Sequence, residues 1–162
     1  MKQEIERKFL VRKELWQPPP AARPHRIRQG YLGPPDAEPV RRVRILDDAG
    51  WLTEKGPPTA PGQRAEVETP IPLADAQARL GGLPPERVIE KLRYRIPYEG
   101  KTWEVDVFAG VNAGLVLAEL ELEHLDEPVA LPPWIGVEVT ADARYYNHYL
   151  AYHPFTQWPA PA

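Results

Sequence analysis

Residues 4–9 read Glu4-Ile5-Glu6-Arg7-Lys8-Phe9, with Glu4, Glu6 and Lys8 at every second position. Successive side chains of a β-strand point to opposite faces of its sheet, so these three charges are predicted to share one face. The same spacing returns along the chain in five further groups: Arg42 and Arg44; Glu66 and Glu68; Lys91, Arg93 and Arg95; Glu104 and Asp106; Glu119, Glu121 and Glu123. The chain is therefore predicted to consist mainly of strands that carry charges on one face.

Nine segments rich in Val, Ile, Leu, Tyr and Trp alternate with proline and glycine clusters, a pattern typical of strands joined by turns. The predicted strands are 3–11, 25–32, 40–47, 50–55, 64–71, 88–98, 101–109, 115–124 and 135–140. Hairpin turns are predicted at Glu99-Gly100 and over residues 47–50. Two helices are predicted, one at 73–80 that Gly81-Gly82 ends, and one at 141–151 with Thr140 as its N-cap. The balance of elements indicates an α+β fold dominated by β-structure.

The charged faces tend to carry one sign each, which distinguishes them from an ordinary solvated face of an antiparallel sheet. Segments 42–44 and 91–95 are basic on that face, whereas 66–68, 104–106 and 119–123 are acidic. Like charges on one face repel, so each strand needs partners or ligands of opposite sign opposite it. A closed eight-stranded antiparallel β-barrel with a polar interior supplies them and encloses a tunnel for one small ligand. Flanking helices, loops or a twin subunit would cover the apolar outer face, so a homodimer stays open.

Composition narrows the class of protein. The chain has 162 residues, 43% of them hydrophobic, which suits one folded domain over 1–153 with a Pro-rich C-terminal tail at 154–162. A net charge of −3 argues against a general nucleic-acid binder. The absence of a long apolar run argues against a membrane span, and the absence of cysteine excludes disulfides. We therefore expect a cytoplasmic protein.

The two signs of charge predict a particular chemistry inside such a barrel. Arginine and lysine bind phosphate oxygens, whereas carboxylates bind hard cations such as Mg²⁺ or Mn²⁺. A polyanion on a basic wall with divalent cations on an acidic wall is the arrangement that phosphoryl transfer requires.

The charged groups also form an ordered series of motifs. It runs through Glu4-x-Glu6-x-Lys8, Arg28-Gln29-Gly30-Tyr31, Arg42-x-Arg44, Thr53-Glu54-Lys55-Gly56, Glu66-x-Glu68, Glu90-Lys91-x-Arg93-Tyr94, Glu104-Val105-Asp106, Glu119-x-Glu121 and Gly136 to Asn147. This series resembles the CYTH superfamily, also called triphosphate tunnel metalloenzymes, over residues 3 to about 151. It is most similar to the short bacterial members, whose known activities include inorganic triphosphatase.

The resemblance implies roles for individual residues. The metal-binding positions, for Mg²⁺ or Mn²⁺ with two ions when substrate is bound, are Glu4, Glu6, Asp106, Glu119 and Glu121. The triphosphate-binding positions are Lys8, Arg42, Arg44, Lys55, Lys91 and Arg93. Tyr31 and Lys55 match a proposed general acid/base pair, in which Lys55 would lower the pKa of the tyrosine. Tunnel-wall positions without an assigned role are Glu66, Glu68, Arg28, Arg95, Glu104 and Glu123.

The resulting hypothesis is metal-dependent hydrolysis of a small triphosphate, foremost inorganic tripolyphosphate, to pyrophosphate and phosphate. Three alternatives share the fold: a thiamine triphosphatase, a nucleoside triphosphatase and a class IV-type adenylyl cyclase. A fourth belongs to another class, a polyphosphate-binding module without catalysis. The five implied metal carboxylates argue against this module, because binding a polyanion alone does not require them.

Overall fold

The computed structural model describes residues 2–159, which form nine strands and two α-helices. The strands are β1 (Lys2–Val11), β2 (His25–Leu32), β3 (Val40–Leu46), β4 (Ala49–Lys55), β5 (Gln63–Ile71), β6 (Ile89–Tyr98), β7 (Lys101–Phe108), β8 (Val116–Glu121) and β9 (Ile135–Glu138). The helices are α1 (Leu73–Gly81) and α2 (Asn147–Tyr152). All nine predicted strands are confirmed, with ends that differ by a few residues.

Eight strands close into an antiparallel barrel in the order β1–β5–β4–β3–β2–β6–β7–β8, and β8 pairs with β1 again. One edge of β1 pairs first with β5, over Lys2 to Ile5, and then with β9, at Phe9 and Val11. The prediction of a closed eight-stranded antiparallel barrel is confirmed, and β9 is an extra strand outside the closed ring.

Both predicted hairpin turns exist, but one is shorter than expected. Glu99 and Gly100 both have positive φ angles, of 48° and 78°, and join the paired residues Tyr98 and Lys101. In the other hairpin Leu46 already pairs with Ala49, so only residues 47–48 form the turn.

Helix α1 covers part of the outer barrel wall. Its Ala76 and Leu80 are buried against Val43 and Ile45 of β3. The helix ends at Gly81 and Gly82 caps it, as the glycine pair predicts. Helix 73–80 is therefore confirmed.

The second predicted helix is wrong in its start and in its cap. Residues 143–145 form a short 3₁₀ turn, and the α-helix begins only at Asn147, after Tyr146 in extended conformation. Thr140 caps no helix, because its hydroxyl accepts a hydrogen bond from the Lys8 backbone N–H and donates to Glu138. A contact to another strand has replaced the local cap.

Aromatic side chains cover the outside of the barrel. Trp103 is fully buried beside Phe9 and Val105, and Trp16 and Trp134 pack over this cluster. These contacts bury the apolar side chains that the sequence assigns to the outer face of the barrel.

The described part of the C-terminal tail packs against the barrel as well. Phe155 and Trp158 join the cluster around Leu117 and Leu150, and the Phe155 N–H donates to the buried Asn112 side chain. Residues 160–162 of the predicted tail lie outside the described residues.

The described residues contain no helix with the length and apolar character that a membrane span requires.

Candidate active site in the barrel interior

A cavity of about 380 Å³ lies inside the barrel. Its lining includes seven acidic side chains: Glu4, Glu6, Glu66, Glu68, Glu104, Glu119 and Glu121. It also includes seven basic side chains: Lys8, Arg42, Arg44, Lys55, Arg64, Lys91 and Arg93. The acidic and basic side chains are equal in number, so the lining could accept a polyanion together with cations that neutralise it.

The two signs occupy different sides of the barrel. Most acidic lining residues lie on the neighbouring strands β7, β8, β1 and β5, which we call the acidic arc. Most basic ones lie on β4, β3 and β6, which together with β2 between them form the basic arc. Within the described residues, the acidic arc also contributes two basic side chains to the lining, Lys8 and Arg64. The arcs meet at two seams, β6–β7 and β4–β5.

The β6–β7 seam holds a buried ion-pair network. Asp106 is 1% exposed, and its two oxygens accept from the Arg93 guanidinium at 2.8 and 2.9 Å. Lys91 Nζ lies 2.8 Å from the same carboxylate. Burial alone would raise the pKa of Asp106, but Arg93 and Lys91 outweigh it and hold that pKa far below its usual range. Asp106 does not line the cavity, and its oxygens already have cationic partners.

The β4–β5 seam is looser. Lys55 Nζ lies 3.4 Å from Glu4 and 3.9 Å from Glu66, and Arg42 lies 3.9 Å from Glu68. A hydrogen bond from Arg42 to Thr53 supports the guanidinium, while Arg42 Nε is buried with no partner among residues 2–159. Arg42 lines the cavity, so an anion bound there would meet a guanidinium whose hydrogen-bonding capacity the described residues do not fully use.

Glu6 lies at the centre of the acidic arc. Across the β1–β8 pair it is opposite Glu121, and Lys8 is opposite Glu119 with 3.3 Å between their charged atoms. Glu6 has no ion pair or side-chain hydrogen bond within the range 2–159. Burial, followed by the carboxylate of Glu119, raises the pKa of Glu6 to about 8. Lys8 and Lys55 oppose this shift but do not cancel it, so the positive charge near Glu6 is too small to offset its burial.

Arg44 is the counterpart of Glu6 on the basic arc. Burial and the neighbouring guanidinium groups of Arg42 and Arg93 lower its pKa to about 9. No described carboxylate forms an ion pair with it, and its Nε donates instead to the neutral Gln29 Oε1 at 2.8 Å. Glu6 and Arg44 therefore line one cavity as opposite charges that the protein leaves uncompensated.

Tyr31 lines the cavity, but its environment differs from the expected one. Burial raises the pKa of this tyrosine, and the nearby cations that oppose the shift are Arg42, Arg44, Lys8 and Arg64. The expectation of a tyrosine pKa lowered by Lys55 is wrong, because burial outweighs all nearby cations and Lys55 pairs with Glu4 and Glu66 instead. The phenol stays protonated at neutral pH.

The structure divides the wall positions that had no assigned role. Glu66, Glu68 and Glu104 line the cavity. Arg95 pairs with Glu104 at 3.6 Å and is 55% exposed, and Glu123 lies beyond the end of β8. Neither residue lines the cavity.

Arg28 faces away from the cavity, against the expectation that it lines the wall. Its side chain is 49% exposed and pairs with Glu90 on the neighbouring strand at 3.4 Å. The physical reason is parity, since Gln29 and Tyr31 point inward on β2 and Arg28 must then point outward.

The sequence analysis assigned no role to Gln29 or to Asn147. Gln29 is fully buried, and its amide donates to Asn147 Oδ1 at 3.1 Å. Asn147 Oδ1 also accepts from Lys91 Nζ at 2.9 Å. Both residues lie in quoted motifs, and the even spacing from Tyr31 could have placed Gln29 on the inner face.

No three His, Asp or Glu side chains of residues 2–159 form a ready-made metal-binding cluster. The donor set nevertheless fits a hard divalent cation, because Glu4, Glu6, Glu119 and Glu121 offer only carboxylate oxygens to one cavity. Burial raises the pKa of Glu6 most, and the neighbouring carboxylates of Glu119 and Glu4 raise it further, so a cation would favour the ionised form of Glu6.

Comparisons with known proteins identify the family of the chain. The family model of the CYTH domain matches residues 2–149. An inorganic triphosphatase of Acetivibrio thermocellus is 44% identical over 155 residues, which cover 96% of this chain and 97% of that protein. An inorganic triphosphatase of Nitrosomonas europaea is 36% identical, with 91% of this chain and 96% of that protein covered. The crystal structure of the inorganic triphosphatase NE1496 has a TM-score of 0.68 at 35% identity and covers 91% of this chain and 97% of its own. The chain therefore belongs to the CYTH domain family.

Proposed function

We propose that this protein hydrolyses inorganic tripolyphosphate to pyrophosphate and phosphate in the barrel cavity, with Mg²⁺ or Mn²⁺ as the cofactor. The observation that carries the proposal is the pair of uncompensated buried charges, Glu6 and Arg44, on opposite arcs of one cavity. A metal-bound triphosphate would offer a cation to one and an anion to the other. Two relatives named inorganic triphosphatase, at 44% and 36% identity, support this choice of substrate.

The basic arc is the proposed binding surface for the phosphate groups. Arg42 and Arg44 keep charge available, because Arg42 has only a distant carboxylate and Arg44 has none in the described range. Lys91 and Arg93 are held by Asp106 and extend this surface toward the β6–β7 seam. We therefore assign Asp106 to anchoring these two cations, in place of the metal-binding role that the resemblance implies.

The acidic arc is the proposed metal-binding surface. Glu4, Glu6, Glu119 and Glu121 would hold the divalent cation, and the same carboxylates are numerous enough for two ions with substrate bound. The chemistry that such a cation supplies is neutralisation of charge on the phosphoryl oxygens. Lys55, between Glu4 and Glu66, lies where the two arcs meet and is proposed to contact substrate there.

The reaction is an in-line displacement at the terminal phosphorus. A water oxygen forms the new P–O bond, the anhydride P–O bond breaks, and pyrophosphate leaves. A carboxylate of the acidic arc accepts the proton that the water loses. Arg42 and Arg44 stabilise the charge that spreads over the phosphoryl oxygens. Tyr31, protonated at neutral pH, can donate a hydrogen bond or a proton to the leaving oxygen.

The test is a substrate panel. The protein is incubated with tripolyphosphate, ATP or thiamine triphosphate, each with Mg²⁺, with Mn²⁺ or with EDTA, and phosphate, pyrophosphate and cyclic AMP are measured. We expect the highest kcat/KM with tripolyphosphate, equal amounts of phosphate and pyrophosphate, and no turnover in EDTA. A higher kcat/KM for ATP or thiamine triphosphate, or formation of cyclic AMP, would contradict the proposal. Tight binding without turnover under any condition would indicate a binding module.

A further inference from the structure

Two amide side chains connect the cations of the basic arc. Gln29 Oε1 accepts from Arg44 Nε at 2.8 Å, and Asn147 Oδ1 accepts from Lys91 Nζ at 2.9 Å. The amides also contact each other, since Gln29 Nε2 donates to Asn147 Oδ1 at 3.1 Å. The chain Arg44–Gln29–Asn147–Lys91 thus crosses from β3 through β2 and α2 to β6.

The chemistry of the donors fixes how both amides point. Arginine and lysine have no acceptor atom, so the groups that face Arg44 and Lys91 must be the amide oxygens. The Gln29 NH₂ then faces Asn147 and, at 3.4 Å, the Tyr31 hydroxyl. Gln29 is fully buried, so its orientation has no solvent alternative.

Elsewhere in the barrel, carboxylates hold the cations. Asp106 binds Arg93 and Lys91, Glu119 binds Lys8, and Glu104 lies 3.5 Å from Arg93. A carboxylate orients a cation but also neutralises it. Gln29 has nearly the shape of glutamate, and it orients Arg44 without adding a negative charge. Lys91 and Arg93 share the single carboxylate of Asp106, and a second carboxylate at position 147 would cancel the positive charge that this pair has in surplus.

We propose that Gln29 and Asn147 are positioning residues that fix Arg44 and Lys91 through neutral acceptors, so that their positive charge stays available to the triphosphate. The inference rests on the proposed function, because it assumes that Arg44 and Lys91 bind phosphate oxygens. It differs from a packing role in one respect: the charge of the acceptor, and not its shape, decides how tightly the anion binds.

The experiment compares Gln29→Glu, Asn147→Asp and the control Gln77→Glu, which adds the same charge on the exposed side of α1. Binding of tripolyphosphate is measured by calorimetry in EDTA, and melting temperature is measured without ligand. With Mg²⁺, KM and kcat for tripolyphosphate are measured for the same proteins.

We expect Gln29→Glu to bind tripolyphosphate at least about tenfold more weakly, since a charged hydrogen bond is at stake. Its melting temperature should stay close to that of wild type, because the introduced carboxylate would pair with Arg44 but would lose the hydrogen bond that the Gln29 amide donates to Asn147. KM should rise more than kcat falls. Asn147→Asp should weaken binding less, and Gln77→Glu should leave it unchanged.

Three outcomes decide the inference. If folded Gln29→Glu and Asn147→Asp bind as tightly as wild type, the charge of the acceptors is irrelevant and the inference is overturned while the proposed function stands. If Gln29→Glu fails to fold, Asn147→Asp still decides, since Asn147 is only partly buried. If wild type neither binds nor hydrolyses tripolyphosphate, the proposed function is wrong, and the inference that rests on it is wrong as well.

Discussion

The β6–β7 seam and the centres of the two arcs treat buried charge in opposite ways. At the seam, Asp106 has three contacts of 2.8 to 2.9 Å with Arg93 and Lys91. At the arc centres, Glu6 and Arg44 have no ion-pair partner among the described residues, and both have pKa values shifted toward the neutral form. At the seam, opposite charges of the protein compensate each other, whereas Glu6 and Arg44 would find compensating charges only in ligands.

This difference separates Asp106, which holds two cations of the cavity wall in place, from Glu6 and Arg44, whose charges need a ligand. Breaking a satisfied buried pair leaves a lone charge and is expensive, but removing an uncompensated charge relieves the fold. A ligand that binds only the folded state then offsets the cost of the uncompensated charges. Substitutions of Asp106 and of Glu6 should therefore move stability in opposite directions.

The largest effect is expected for Asp106→Asn at the seam. The variant leaves Arg93 and Lys91 buried without their carboxylate, so the free energy of unfolding should fall by about 3–5 kcal/mol. Urea unfolding followed by circular dichroism measures this change. Because the pKa of Asp106 is depressed in the fold, its stabilisation is present above pH 4 and is lost at lower pH, so the difference between variant and wild type should shrink in acid.

The matched control is Glu104→Gln on the same strand. Glu104 is 29% exposed and lies 3.5 and 3.6 Å from its two arginines, so its loss should cost no more than about 1 kcal/mol. Equal losses for the two variants would show that the seam is not the dominant charge contact.

At the centre of the acidic arc, Glu6→Gln should abolish function and spare the fold. We expect kcat/KM for tripolyphosphate to fall by about 10²–10³, the usual cost of removing one electrostatic group from a reaction site. Steady-state kinetics in Mg²⁺ measure it, and near-wild-type turnover would refute the metal-binding role.

The stability of Glu6→Gln without metal provides a second readout with a definite sign. Folding raises the pKa of Glu6 from 4.5 to about 8, so the wild type loses stability relative to the variant as pH rises through that range. Melting curves in EDTA between pH 4.5 and 8 should show a widening advantage for the variant. An advantage that narrows with pH would mean that Glu6 already has a cationic partner in the fold.

Arg44→Met tests the basic centre, with a smaller effect. Methionine is unbranched like the aliphatic part of arginine, and the substitution removes a buried charge that has no described counter-ion. Calorimetry should show binding of tripolyphosphate weakened by about tenfold to 100-fold, because a charged hydrogen bond is lost. Loss of the hydrogen bond to Gln29 offsets the relief of the buried charge, so the melting temperature of the metal-free protein should change little. A fall as large as that of Asp106→Asn would place Arg44 with the seam residues.

The sequence predicted the strands and most of the cavity lining because both follow from the two-residue period of a strand. Glu4, Glu6 and Lys8 on β1 share one parity, and the structure brings all three to the cavity. The pairing of Asp106 with Arg93 follows from the predicted Glu99-Gly100 turn, which makes β6 and β7 neighbours and sets their register. The contact of Lys55 with Glu4 could not be predicted, because it depends on β5 lying next to β1 in the closed barrel.

The start of α2 was mispredicted for a related reason. Thr140 is a good local N-cap, but its hydroxyl is taken by Lys8 of β1 and by Glu138. A contact between residues 132 positions apart has overridden a local preference. The sequence does not show such a contact, because it depends on the pairing of β9 with β1 in the folded protein.

Arg28 illustrates an error that parity alone could have prevented, and it carries the smallest expected effect. Tyr31 and Arg28 are three residues apart on β2, so both cannot face the interior of a regular strand. The structure turns Arg28 outward to a half-exposed pair with Glu90, a contact worth at most about 1 kcal/mol. Arg28→Ala should therefore leave kcat/KM for tripolyphosphate within about twofold of wild type, far from the loss expected for Arg44. Measured beside Arg44→Met under the same conditions, a tenfold fall for Arg28→Ala would mean that basic residues outside the cavity also guide the substrate.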